Sequence, residues 1–281
     1  MTTRIIVDST ADIALKHREE VTIVPLTVHF GNEEFIDGVT IDHDSFYNKM
    51  ALIQELPTTS AASPGTFMEI FDEVKKSGDE AVVITLSSKL SGTYQSARIA
   101  SMEYEGIEVV DSGTVTLGAN ALILEAIRMA KAGNKAKEIA EYLEDIKKRI
   151  VIVAVLDTLD NLCKGGRLSK SAAFVVGVLN IKPVVSLIDG TIEVLGKVRG
   201  FKGASSQLIK EIEKFGGMDM KLPTVVGYSG NDDKPMKAFI ENNGELFKRG
   251  NGEIETARIG SVVGTHAGPG AIGVAFYRNE E

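Results

Sequence analysis

Three short segments carry the polar side chains able to grip or transform a ligand. PTTSAASP (57–64) sets the hydroxyls of Thr58, Thr59 and Ser60 ahead of a helix start, where free N–H groups and the helix dipole favour an anion. TLSSKLSGTYQSA (85–97) brings Ser87, Ser88 and Ser91 to the end of an apolar run, just before Gly92 and a further expected helix. VVGTHAGPGAIGVAFY (262–277) holds Thr265 and His266 in a glycine- and proline-rich loop between two apolar runs. Hydroxyls give and take hydrogen bonds without charge, and a histidine adds a group that titrates near neutrality. Such a set suits the binding of an anionic group, or acid–base chemistry. The same hydroxyls also suit ordinary helix caps, and His266 a solvent-facing turn.

Familiar catalytic patterns fail on spacing. GGRLSKS (165–171) has Ser169 where a P-loop needs glycine before its lysine, and GYSGN (227–231) ends on Asn231 where a nucleophile elbow needs glycine. VDSTAD (7–12) puts Ser9 between Asp8 and Thr10, which breaks an aspartyl-phosphate pattern. The four histidines, at 17, 29, 43 and 266, are too far apart for paired metal ligation, so no metal and no cofactor are expected.

The elements that must position these segments follow from periodicity. RIIVD (4–8), VTIVPLTVHF (21–30), AVVITL (81–86), IEVVD (107–111) and IVIVAVLD (150–157) read as strands, alternating with amphipathic stretches as in a mostly parallel sheet flanked by helices. Ser63, Pro64 and Gly78 start and stop a helix whose Phe67, Ile70, Phe71 and Val74 share a face. Residues 135–150 form a second helix after Asn134, with Ala136, Ile139, Ala140, Leu143 and Ile146 on its apolar stripe. Further on, Asp189-Gly190 between two alternating runs predicts a hairpin, and the runs 222–229 and 252–260 flank a helical stretch. The expectation is a two-domain α/β protein. An N-terminal domain, 1–155, carries the mostly parallel sheet; a smaller C-terminal domain, 156–281, has a mixed or antiparallel one.

Composition bounds the rest. With 281 residues, 43% hydrophobic and 25% charged, the chain has the makeup of an ordinary globular protein. Its net charge of −8 argues against a nucleic-acid partner. A lone Cys163, and a start that runs directly into a strand with no apolar leader, point to the reducing cytoplasm; no apolar run reaches the ~20 residues of a membrane span. From 164 to 202, seven basic residues (Lys164, Arg167, Lys170, Lys182, Lys197, Arg199, Lys202) face only Asp189 and Glu193. That segment reads as a solvated positive face or as a docking surface for an acidic or phosphate-bearing partner.

Taken together, VDSTADI (7–13), PTTSAASP (57–64), TLSSKLSGTYQSA (85–97), DTLDNLCKGGRLSK (157–170), LNIKPVVSLIDG (179–190) and VVGTHAGPGAIGVAFY (262–277) resemble the DegV family of bacterial fatty-acid-binding proteins, along essentially the whole chain. The resemblance implies one long-chain fatty acid, such as palmitate, held in a tunnel between the two domains. It also implies no catalysis by the chain itself. A separate ATP-dependent fatty acid kinase subunit converts the presented carboxylate to an acyl phosphate for lipid metabolism. The carboxylate-binding hydroxyls carry over to Thr59 and Ser91, with Ser60, Gly92 and Thr265 beside them, and the histidine to His266. Arg167 and Arg199 match basic positions tied to kinase docking or phosphoryl transfer. Ala61 and Ala62 stand where the family usually has Gln-Pro.

On physical grounds, a tail of about 16 carbons contributes roughly 0.8 kcal/mol per buried methylene, about 12 kcal/mol gross, so the head group needs hydrogen bonds more than attraction. Hydroxyls plus a histidine, without an arginine in contact, leave the carboxylate available as a nucleophile. Phe174, Val175, Val176, Gly177, Val178, Leu179 and Ile181 are candidate wall residues, equally explained as core. Transient membrane contact is compatible with such a carrier. The alternatives are a stand-alone enzyme acting on a small carboxylated or phosphorylated metabolite through Asp8, Ser91 and His266, and a protein-binding module using the 164–202 segment.

Overall fold

The structure, a computed structural model, describes residues 2–168, 180–247 and 254–280. The first half gives β1 (Thr3–Asp8), β2 (Val21–Val24), β3 (Thr27–Phe30), β4 (Glu33–Ile36), α1 (His43–Leu52), β5 (Thr58–Ser60), α2 (Pro64–Ser77), β6 (Glu80–Thr85), α3 (Thr93–Ser101), β7 (Ile107–Asp111), α4 (Leu117–Lys131) and α5 (Ala136–Ile146). The second half adds β8 (Ile150–Val155), α6 (Asp160–Lys164), β9 (Ile181–Ile188), β10 (Thr191–Arg199), α7 (Gly200–Lys214), β11 (Val225–Tyr228), α8 (Lys234–Asn242), α9 (Gly244–Phe247), β12 (Glu255–Arg258), α10 (Ser261–Ala267) and β13 (Ile272–Tyr277).

A parallel sheet runs β2-β1-β6-β7. Its central strands are buried along most of their length, the pattern of a sheet covered on both faces. The run 21–30 is two strands, not one. Pro25 has no N–H for a sheet ladder, and the chain leaves the parallel sheet there to form β3 in a separate antiparallel sheet, β4-β3-β5. Ser63 caps α2 through a bond from the Thr66 N–H, and Gly78 ends it in the left-handed region at φ 69°. The start of α5 lies one residue beyond the expected cap: Lys135 precedes the helix, its N–H held by Glu138 Oε2 at 2.8 Å.

The second sheet is mixed, ordered β10-β9-β8-β13-β11-β12, with only β11 and β12 parallel. Asp189 (φ 49°) and Gly190 (φ 77°) make the expected tight hairpin between β9 and β10. β8, expected with the first half of the chain, pairs with β9 and β13. Helix α4 lies between the two sheets, against β1 on one side and β8, β11 and β13 on the other. Its burial on all sides fits that layer: Val7, Leu122, Ile152, Val225 and Tyr277 belong to one shared core. Segment 261–267, expected as a loop, is the short helix α10; Gly264 permits it, because a Cβ there would meet Tyr47 Oη at 2.6 Å and Phe46 Cε1 at 2.9 Å.

Candidate functional site

Between the C-terminal ends of the parallel strands and the inner face of the mixed sheet lies a cavity of ≈ 180 Å³, with walls drawn from both halves of the chain. Leu86, Leu90, Ile152, Leu156, Val185 and Leu187 are among the apolar residues that dominate it. Apolar cavities of this scale take apolar guests in preference to water. Polar side chains interrupt the wall at Thr10, Thr59, Ser60, Ser91, Thr116, Arg167 and His266. The candidate wall residues Phe174 to Leu179 lie outside the described residues, as do Ser169 to Ser171; Ile181 pairs with Arg199 in the hairpin and does not line the cavity.

Each polar group is set by its element. Thr59 sits in β5 opposite Val28, and strand alternation turns it inward while Thr58 and Ser60 are exposed. His266, in the last turn of α10, places Nε2 3.0 Å from Thr59 Oγ1, joining residues 207 positions apart. Its Nδ1 is buried without a hydrogen-bond partner and abuts Gly165, where a Cβ would approach it to 2.3 Å. Burial first, and the nearby Arg167 charge second, push His266 down to about 4, so the ring is neutral at pH 7. Ser91 precedes α3: its oxygen accepts the Thr93 N–H at 3.3 Å and lies 3.0 Å from the Thr93 hydroxyl, with Gly92 beside it on the cavity wall.

Thr59, Ser60, Ser91, Gly92, Arg167 and His266 therefore share one cavity. Ser60 has a second role there, since its hydroxyl lies 2.8 Å from His29 Nε2 on the exposed side of the small sheet. Two of the expected site residues sit elsewhere. Thr265 donates its hydroxyl to the Ser261 carbonyl one turn back in α10, at 2.9 Å, and is absent from the cavity wall. Arg199 is exposed at the end of β10, also away from the wall. Arg167 is closer than expected: it lines the cavity while donating Nε to the Leu90 carbonyl at 3.1 Å and Nη1 to the Gly165 carbonyl at 2.6 Å. Ser87 and Ser88 serve the fold. The Ser87 hydroxyl donates to the Gly190 carbonyl in the hairpin turn at 2.8 Å, and the Ser88 N–H donates to Asp111.

Asp8, Ser91 and His266 make no relay. Asp8 is buried behind the cavity and accepts the Thr10 N–H, the Thr10 hydroxyl and the Leu86 N–H, while Ser91 and His266 are engaged with Thr93 and Thr59. Desolvation lifts the Asp8 carboxyl to about 6. Among the described residues no group of three or more His, Cys, Asp or Glu side chains is placed to hold a metal, and no helix is long and apolar enough to cross a membrane. Gly165 is a site residue that sequence reasoning missed: only the fold shows that its missing side chain makes the seat of His266.

The sequence profile described as "Uncharacterised protein, DegV family" matches residues 2–279. A DegV domain-containing protein of Caldanaerobacter subterraneus subsp. tengcongensis is 39% identical over 279 residues, covering 97% of both chains. Among solved structures, one described as fatty acid binding of a DegV family protein from Thermus thermophilus superposes with a TM-score of 0.88 at 28% identity, over 99% of this chain and 100% of that one. The Fatty Acid Kinase (Fak) B3 protein of Streptococcus pneumoniae, loaded with linoleic acid, gives 0.87 at 26% identity, over 99% and 100%.

Proposed function

The chain belongs to the DegV family, and on that premise we propose that it binds one long-chain fatty acid in the cavity between its two halves, with the tail along the apolar wall and the carboxylate at Thr59, Ser91 and His266. The observation that carries this reading is the Thr59–His266 pair, 3.0 Å apart at the wall of a mainly apolar cavity that also carries Ser91. A carboxylate there exchanges its water for hydroxyl donors and one imidazole. Arg167 keeps Nε and Nη1 on backbone carbonyls, so it contributes field more than a bidentate clamp. The carboxylate stays nucleophilic, which suits a carrier that presents it to a separate ATP-dependent kinase subunit for acyl-phosphate formation and performs no chemistry alone. Arg199, exposed at the end of β10, is assigned to docking of that subunit.

Organic extraction of the purified protein followed by mass spectrometry is expected to yield long-chain acyl groups; preparations that repeatedly yield none would count against the reading. Ser91→Ala and His266→Ala should each weaken palmitate binding by about 5- to 150-fold, the worth of one hydrogen bond to a charged group. Unchanged affinity in both variants places the head group elsewhere. The chain by itself should turn over neither ATP nor esters.

A further inference from the structure

The helix that carries His266 is fastened at its far end by two buried acids from the first half of the chain. Gly260, just before α10, donates its N–H to Asp12 Oδ1 at 2.8 Å, and Ser261, its first residue, donates its hydroxyl to Asp37 Oδ1 at 2.5 Å. Asp12 is 8% exposed and Asp37 5%. The other oxygen of Asp12 accepts the Thr116 hydroxyl at 2.5 Å, and Thr116 lines the cavity. A connected path thus runs from one wall of the cavity, through Asp12 and the start of α10, to His266 and Thr59 on another.

The arrangement is expensive for mere packing. Asp12 is held out of water beside a second acid: burial, with the nearby Asp37 charge, holds the Asp12 carboxyl well above the usual carboxylate range. The backbone is also strained where the path turns: Asp12 has φ 49° and Thr116 φ 46°, the second being a β-branched residue in a region such residues avoid. Strain and buried charge of this kind persist where an exact position matters. Gly260 fits the same purpose, since a Cβ there would come within 2.8 Å of Asp12 Oδ1 and 3.3 Å of His43 Nε2.

We propose that Asp12 and Asp37 are positioning residues for the head-group site: they fix the seat of α10 at its start and so hold His266 Nε2 against Thr59. The proposal rests on the reading of His266 as a carboxylate contact, and it makes carboxylate recognition, not tail burial, depend on the two acids.

The test compares palmitate with hexadecanol, which keeps the tail and lacks the acid, and follows the His266 ring by NMR. Asp12→Ala should weaken palmitate about tenfold more than hexadecanol and shift the His266 ring signals. Asp12→Asn should restore both, because an amide can accept from Gly260 and donate to Thr116. In a His266→Ala background, Asp12→Ala should have no further effect on palmitate. Equal losses for the two ligands that persist without His266 would overturn the proposal, as would wild-type binding and ring signals in a folded Asp12→Ala protein. Should that variant fail to fold, Ser261→Ala decides: about threefold weaker palmitate with displaced ring signals supports the proposal, and no change in either overturns it. Full palmitate affinity in His266→Ala alone would fail the head-group reading instead, while the ring signals of Asp12→Ala still report whether Asp12 positions the histidine.

Discussion

At the level of single residues, His266 behaves unlike a surface histidine, and its titration gives a signed prediction. Its ordinary value of 6.5 falls to about 4 in the folded protein, chiefly by burial. A depressed folded value means that protons favour the unfolded chain. The stabilisation from keeping the ring neutral is therefore complete above pH 6.5 and is lost as pH falls toward 4, a change of about 3 kcal/mol. Urea denaturation of wild type and His266→Ala across pH 4 to 7 isolates this: the stability of wild type relative to the variant should rise with pH by about that amount. A difference that stays flat would mean the ring titrates normally. Asp8 has the opposite sign, raised from 3.8 to about 6, but it is present in both proteins and cancels in the comparison. The residue types at this site were legible in the sequence; their joining was not. Nothing in the local pattern says that Thr59 meets His266, or that Gly165 must lack a side chain, because both facts come from packing between distant segments.

Among the elements, those with strong local periodicity were readable. β1, β6, α2 and the β9–β10 hairpin follow from apolar runs, caps and a turn dipeptide. The break at Pro25 carried a signal in the proline itself, whereas α10 is hidden among Gly260, Gly264, Gly268 and Gly270 and exists because Tyr47, Asp12 and Asp37 hold it. Glycines also explain how α4 lies flat on the mixed sheet. Gly227 and Gly273 are direct cross-strand partners, and Leu117 sits over them. A Cβ on Gly227 would meet Leu117 Cδ2 at 2.4 Å and the Ala257 carbonyl oxygen at 2.9 Å; the leucine can move, but the neighbouring strand cannot. Gly227→Ala should therefore cost about 1–3 kcal/mol in urea denaturation by overpacking. Leu117 also lines the cavity, so the displaced side chain should shift the preferred acyl length toward shorter chains in a binding series. Unaltered stability would show that α4 can lift off the sheet.

For the molecule as a whole, the cavity is built from both halves: Leu86, Leu90 and Ser91 follow the parallel strand β6, while Ile152, Val185 and Ile192 come from the mixed sheet. Their mutual placement already has dry support through α4 and the shared core, and through Ser87 reaching the hairpin turn. Two of the basic side chains of segment 164–202 are engaged within the fold: Lys182 is paired with Asp157, and Arg167 is turned onto backbone carbonyls. A guest spanning both halves binds the native state and not the unfolded one. Palmitate at 100 times its dissociation constant should then add about 2.7 kcal/mol to stability and raise the melting temperature with ligand concentration. The increment should be smaller in His266→Ala at the same palmitate concentration, because weaker binding lowers the occupancy term directly. Amide hydrogen exchange locates the effect. Slowed exchange should appear together in β5 and the start of α3 on one side and in α10 and β9 on the other, since each supplies wall or polar contacts. Protection confined to one half would assign the ligand to a site within that half, and would separate the Thr59–His266 pair from ligand binding altogether.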